Sequence, residues 1–476
     1  MAEKTVISVD LGAESGRVMA VKFNGKTLRL EELQRFANSP VTVNGTLYWN
    51  FLELWRDIQA GLEKAKRLQP ASIGVDTWGV DFGLLDRHGA LLSNLVHYRD
   101  RRTEGIMEHV FKTVAKEDIY VQTGIQFLPF NSIFQLASLI RDKSPLLKMT
   151  DTFLTAPDLL NYWLTGTKAC EFSIATTTQL YNPHTGGWAT DLMNALEIPE
   201  HIFPEIVPPG TRLGKWQDIP VIAPACHDTG SAVAAIPALT PEYAYISSGT
   251  WSLVGLENTQ PLINNDAMDF GLTNEGGVNN TFRLLSNVMG LWIVQQARAG
   301  WAREGHDFSY EQLTKMAAEA TPLQSFIKPN DTIFLPPGHH AHTVMEFCKK
   351  SNQPVPQSAG EIVRSILESL ALTYRDVVEK LVQLTGRQVK TIHIGGGGSQ
   401  NELLNQMTAD ATGRPVVAGP VEATVIGNAL VQLIALGEIR DIHQAREIVS
   451  NMEELKRYTP QNSDKWLDAI NRFEKL

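Results

Sequence analysis

At 476 residues the chain exceeds a single small core; about 150 residues per domain gives roughly three domains, and two large α/β lobes fit as well. Its 43% apolar and 20% charged residues are ordinary globular values, which excludes disordered and fibrous classes. Acids outnumber bases, 52 to 42, for a net charge of −10 with no run of Lys or Arg, so nucleic acid is not an expected partner.

The opening MAEKTVISVD lacks the apolar core of a signal peptide, and no stretch of about 18 apolar residues would span a bilayer. A cytoplasmic protein with no membrane partner is expected. Val6 to Val9 reads as a β-branched strand ending at Asp10, and Leu11 to Gly16 as a turn. Arg17 to Phe23 is a second strand, Asn24-Gly25 a hairpin turn and Thr27 to Gln34 a third strand. Phe51, Leu54, Trp55, Ile58, Leu62 and Ala65 recur at helical spacing, and Ser72 to Asp76 is a buried-type strand. Val221 to Ala225 is a further strand leading, through Cys226-His227-Asp228, into a helix from Thr229.

The same order recurs in the second half. Ala244 to Ser247 and Trp251 to Leu256 are strands around the turn Ser248-Gly249-Thr250. Phe282 to Val288 is strand-like and Met289 to Ala297 opens a helix. Val389 to Ile394 runs into Gly395 to Gly398 and a helix from Gln400 to Ala411. Pro415 to Ala418 and a helix from Ala423 to Leu436 complete the unit. A duplicated α/β architecture with a cleft between copies is expected, divided near Thr240-Pro241-Glu242 into residues 1–241 and 242–476.

Four loops could carry chemistry. In Asp10 to Arg17, Gly12 and Gly16 permit backbone angles that would turn amides toward an anion, while Ser15 adds a hydroxyl and Arg17 a fixed charge. Asp10 could hold Mg²⁺ through water. A plain hairpin is the structural alternative. Ser247 to Trp251 stands at the same place in the second copy, so the two loops together suggest phosphate jaws. Gly395 to Gly398, between strand and helix, is a usual place for a nucleotide. The dinucleotide pattern G-x-G-x-x-G fails at Gln400 and Asn401, and a P-loop ending at Gly25-Lys26-Thr27 fails because Ala20 stands at its first glycine. In the fourth loop Asp228 could be a helix N-cap, a general base, or both.

With these loops the chain resembles the FGGY carbohydrate kinases of the actin-like ATPase group. The matching segments are VDLGAESGRVM, IGVDTWGVDFGLLD, YRDRRT, TGIQFLPFNSIFQL, ATTTQLYN, CHDTGSAV, SSGTWSLVG, TNEGG, NVMGLW, HIGGGGSQN and AGPVEATVIGN, in one order over nearly the whole chain. The resemblance implies an α/β fold of two ribonuclease-H-like domains around a central cleft. It also implies ATP-dependent phosphorylation of a ketose at its 1-hydroxyl. L-rhamnulose, used in rhamnose catabolism, is the first expectation and L-fuculose or L-xylulose are the alternatives. It assigns ATP contacts to Ala13, Glu14, Ser15, Gly16, Arg17, Thr250, Gln295 and Gly397, and proximity to Mg²⁺ to Asp10. It makes Asp228 the general base, and Gly79, His227, Asp228, Thr229 and Asn287 sugar contacts. A non-enzymatic actin-like module is a rival from another class, and a monomer or small homo-oligomer is expected.

Three features fall outside that pattern. His339, His340 and His342 invite a metal reading, but with no Cys or acidic cluster beside them in sequence a solvated loop is expected. Cys170, Cys226 and Cys348 form neither a disulfide framework nor a zinc pattern, and Cys226 reads as a small buried residue. Trp78 could stack on a sugar or sit in the core.

Overall fold

The computed structural model describes residues 3–461 and 463–476. The chain divides into two compact units: Met1–Ala235 with Glu257–Leu284 and Ala423–Asn451, and Ile236–Leu256 with Leu285–Glu422 and Met452–Leu476. The units interleave along the chain, because two later segments return to the first.

The first unit is built on β1 (Lys4–Leu11), β2 (Ser15–Phe23), β3 (Leu28–Ala37), β4 (Ile73–Thr77), β5 (Arg212–Trp216) and β6 (Ile219–Ile222), in the order β5-β6-β4-β1-β2-β3. β1, β2 and β3 form an antiparallel meander, and β4 lies parallel to β1 on its other side. Asn24 closes the β2–β3 turn by accepting from the backbone of Lys26 and Thr27, while Gly25 takes φ +94°. The helix Phe51–Ala65 buries Phe51, Leu54, Ile58, Leu62 and Ala65, the helical spacing legible in the sequence. At roughly 1.5–3 kcal/mol for each large apolar side chain, that stripe fixes the helix on the sheet. β6 ends at Ile222, so the expected strand to Ala225 is shorter; Ala223 to Ala225 remain buried without pairing as a strand. Between β4 and β5 a long insertion forms its own apolar cluster around Phe82, Phe134, Phe153 and Leu192.

A second, seven-stranded sheet repeats the plan with β7 (Tyr243–Ser248), β8 (Trp251–Asn258), β9 (Phe282–Met289), β10 (Thr391–Gly395), β11 (Val416–Ala418) and β12 (Lys456–Tyr458), in the order β9-β8-β7-β10-β11-β12, with Thr273–Gly276 paired beyond β9 at its edge. β7 and β8 are the antiparallel hairpin, and β10 lies parallel to β7. The duplication is therefore structural. β9 runs through Met289, so the helix expected from that residue begins at Trp292. The longest helix, Ala359–Thr385, starts at a capping box of Ser358 and Glu361 and stops at Gly386, φ +66°.

Candidate active site

In the first unit, strand register gathers acids at the carboxyl end of the sheet. Asp10 is the partner of Arg17 across the hairpin and of Asp76 across the parallel pair. Arg17 Nε donates to Asp10 Oδ2 at 2.8 Å, so the two residues expected to serve phosphate and metal separately form an ion pair. Asp76 is fully buried; its Oδ2 accepts from Asn428 Nδ2 at 2.5 Å, and its Oδ1 has no hydrogen-bond partner. Burial, then the charges of Asp10 and Asp228, push the Asp76 carboxyl well above the usual carboxylate range.

Asn428 reaches Asp76 from the helix Ala423–Ala435, which packs on β1 and β4. Gln432, one turn on, donates to Ile7 O and to Asn428 Oδ1 and accepts from Ser72 Oγ. Glycine is required at Gly74, because a Cβ there would fall 2.5 Å from Asn428 Oδ1. Gly427 meets the helix Asp228–Ala234 so closely that a Cβ would land on the carbonyl oxygen of Ser231.

Asp228 is the first residue of that helix, and His227 holds the N-cap position without a side-chain cap bond. The N-cap expected at Asp228 is thus one residue early. The bonds to Asp228 from Thr229 N and Thr229 Oγ1 (3.1 Å) both fall on Oδ1, and Oδ2 has no bonding partner among the described residues. The side chain keeps 28% exposure. Its pKa is raised, first by burial and also by Asp10, against the opposing pull of His227 and the Thr229 bonds. The carboxyl therefore holds a proton more firmly than a free Asp, as a general base requires.

His227 Nε2 lies 3.4 Å from Asp228 Oδ1. On the other side of the ring, Arg283 Nη2 lies 3.0 Å from Nδ1 and donates to Glu275 Oε2 at 3.1 Å. Glu275 Oε2 lies 3.3 Å from the same nitrogen, so the ring is held between the Asp228 carboxylate at Nε2 and the Arg283–Glu275 ion pair at Nδ1. The backbone is fixed as firmly. Glu171 accepts from Cys226 N at 2.8 Å and from Ser173 N at 2.9 Å, and Ser173 Oγ accepts from His227 N at 3.1 Å. Cys226 is fully buried, and burial holds its thiol well above the usual value, in keeping with an inert packing residue.

Gly79 is half-buried in the turn after β4, against Thr177, whose Oγ1 accepts from Val80 N at 3.1 Å. Val80 adopts φ +68°, costly for a β-branched residue; Ser132 and Gln135 bind its carbonyl and hold it there. Trp78 is a core residue: its Nε1 donates to Asp81 at 2.9 Å and its ring lies 4.0 Å from that of Trp49.

In the β1–β2 loop Ala13 is half-buried, and Glu14 and Ser15 are exposed. Gly12 and Gly16, expected for unusual backbone angles, do not have positive φ. Gly16 is there for space, since a Cβ would fall 2.5 Å from Leu11 Cδ2 and strike Phe36.

The second unit holds Thr250, Asn287, Gln295 and Gly397. Ser247 is the β7 partner of Gly395 in the parallel pair, which sets the glycine run beside the Ser248-Gly249-Thr250 loop. Gly396 takes φ +86° over the Ser248 carbonyl, and Gly397 is exposed with nothing near its Cβ position. Gln295 Nε2 donates to Thr250 Oγ1 at 3.4 Å. Asn287 is half-buried in β9, and its carbonyl accepts from Asn330 Nδ2 at 3.4 Å.

Of the residues not singled out from sequence, Asp76, Glu171, Glu275, Arg283 and Asn428 bear most directly on Asp228. Three of them, Asp76, Glu275 and Asn428, lie in the quoted segments IGVDTWGVDF, TNEGG and AGPVEATVIGN. No local spacing joins them, because they meet only through the sheet and its covering helix.

The expected histidine loop is a different object. His340 is buried, its Nε2 lies 3.0 Å from Pro336 O, and a helix, His340–Lys350, begins there. Folding also brings Glu304 to His339 and His342, so an acid does accompany them.

A hairpin-opened sheet repeated in two units is the plan of the ribonuclease-H-like, actin-like fold, and in the first unit it sets an ionisable carboxylate at a helix start beside two further acids. Solved structures share this fold: gluconate kinase from Lactobacillus acidophilus (TM-score 0.80, 17% identity, 100% of this chain and 97% of that one) and Plasmodium falciparum glycerol kinase with ADP (TM-score 0.76, 15% identity, 99% and 98%). Residues 5–222 match the N-terminal and 244–436 the C-terminal domain model of the FGGY family of carbohydrate kinases. The chain is 44% identical over 484 residues to rhamnulokinase of Bacteroides thetaiotaomicron, covering 99% of each. It is 40% identical over 470 residues to rhamnulokinase of Bacillus subtilis strain 168, covering 96% of each. The chain belongs to the FGGY family of carbohydrate kinases. Among the described residues no helix is long and apolar enough to cross a membrane.

Proposed function

We propose that the chain transfers a phosphoryl group from ATP to the 1-hydroxyl of L-rhamnulose, giving L-rhamnulose 1-phosphate. The observation that carries this reading is the 44% identity with a rhamnulokinase over 99% of both chains. Asp228 is the general base. It orients the ketose hydroxyl and takes its proton late, because an alcohol is far too weak an acid to ionise first. His227, Thr229, Gly79 and Asn287 line the sugar. Ala13, Glu14, Ser15, Gly16 and Arg17 contact the ATP phosphates, and Thr250, Gln295 and Gly397 the nucleotide. This gives residues 1–241 the first phosphate loop and all the sugar contacts but Asn287, and 242–476 the nucleotide.

The acids fit Mg²⁺, a hard cation that prefers oxygen: Asp76 Oδ1 is buried without a hydrogen-bond partner. Asp10, through water, and Asp76 would hold the ion, which would supply neutralising charge on the phosphates. A cytoplasmic enzyme, monomeric or a small homo-oligomer, completes the proposal.

The test is ATP consumption with Mg²⁺ across L-rhamnulose, L-fuculose and L-xylulose, repeated with Asp228→Asn. L-rhamnulose should give the highest kcat/KM, and the variant should lose at least about a hundredfold in turnover. Preference for another ketose overturns the substrate, and near-wild-type turnover of the variant overturns the base.

A further inference from the structure

In the second unit, Glu304 is the C-cap of the helix Trp292–Arg303, and His339 is the N-cap of the helix His340–Lys350. The two helices pack together, and the segment before His339 is tied to the first of them. Trp292 Nε1 donates to Phe334 O at 3.0 Å, and Gly338 N donates to Gln296 Oε1 at 3.1 Å. His339 sits over Gly300, where a Cβ would fall 2.7 Å from the imidazole. Glycine leaves the ring its place.

His339 Nε2 lies 3.0 Å from Glu304 Oε1, and His342 Nε2 lies 3.9 Å from the same oxygen. One ligand atom from each residue falls within 4.8 Å of the other two. The imidazoles are parallel, with centroids 4.0 Å apart and 4° between planes. Both ring nitrogens of His339 are shielded from solvent and make no hydrogen bond, so the 3.0 Å approach to the carboxylate is not aligned as one. Rings stacked face to face do not aim both nitrogens at one point, but His342 is 65% exposed and can turn about its side-chain torsions out of the stack, bringing a second nitrogen to the carboxylate that His339 already approaches. Tetrahedral zinc bonds of about 2.0–2.2 Å put neighbouring ligand atoms roughly 3.4 Å apart, between the two separations here.

We propose that Glu304, His339 and His342 bind one divalent transition-metal ion of the zinc type, clipping the end of one helix to the start of the next. Two imidazoles and one carboxylate select zinc, nickel or copper over Mg²⁺, which prefers an all-oxygen shell. Water would take the fourth position.

The test is calorimetric titration of Zn²⁺ into chelator-treated full-length protein, with thermal melting alongside. One Zn²⁺ should bind per chain and raise Tm, with Mg²⁺ at the same concentration unable to compete. His342→Ala and Glu304→Gln should each weaken Zn²⁺ binding at least about tenfold. Those side chains are 65% and 44% exposed, so the metal-free variants should melt close to wild type. Co²⁺ should give the visible absorption of a four-coordinate site in wild type and lose it in His342→Ala. Failure to bind Zn²⁺, or binding and Co²⁺ absorption unchanged in both variants, overturns the proposal.

Discussion

At the residue scale, the chemistry depends on how strongly Asp228 holds a proton. Burial, and the charge of Asp10 beyond it, raise its pKa above the ordinary value of 3.8. A base works only when ionised, so kcat/KM should fall with pH along an acid limb set by the raised pKa. A pH–rate profile from pH 4 to 8 checks this. A limb at the ordinary aspartate value would mean that another group limits the reaction. His227 was legible as a neighbour of Asp228 in sequence, but what stands behind its ring was not: Arg283 reaches Nδ1 from β9, with Glu275 beside it.

At the element scale, two helices with no sequence proximity fix the base. The helix Asp228–Ala234 lies against Ala423–Ala435, with Gly427 at the closest approach. A methyl group there meets backbone, which cannot rotate away as a side chain can. Gly427→Ala should therefore lower stability by about 1–3 kcal/mol and, by moving the helix that begins at Asp228, lower kcat as well. Urea unfolding and steady-state kinetics measure the two effects, and loss of stability with unchanged kcat would separate the helix contact from the positioning of the base. Strands and hairpins around Asn24-Gly25 and Ser248-Gly249-Thr250 were legible because turn chemistry and period-two patterning are local. The end of β6 and the start of the helix Trp292–Arg303 were not, because hydrogen bonding across the sheet decides where a strand stops.

At the scale of the whole molecule, several buried acids make stability depend on pH. Burial raises Asp158 and Glu171 to about 7 and Asp81 to about 6. Their folded values lie above the unfolded ones, so their contribution to stability is fully present below about pH 4 and is lost as pH rises through 6 to 7. Each proton can give up to about 1.4 kcal/mol per pH unit inside that window. His97, held down to about 3 by burial, opposes this as pH falls below 6.5. The urea midpoint should therefore change between pH 5.5 and 7.5, and Asp158→Asn should make that change less favourable to low pH. An unaltered pH dependence in the variant would show that Asp158 titrates alike in the folded and unfolded chains.

Sequence by itself determined the repeated strand–turn–strand plan, the loops at its turns and the presence of a helix just after Cys226-His227, since each is written in neighbouring side chains. Tertiary structure alone decided that Asn428 would hold Asp76, that Arg17 would pair with Asp10, and that Glu304 would meet His339. Those partners are brought together by sheet register and helix packing, which depend on burying apolar surface across the fold and leave no fixed spacing along the chain.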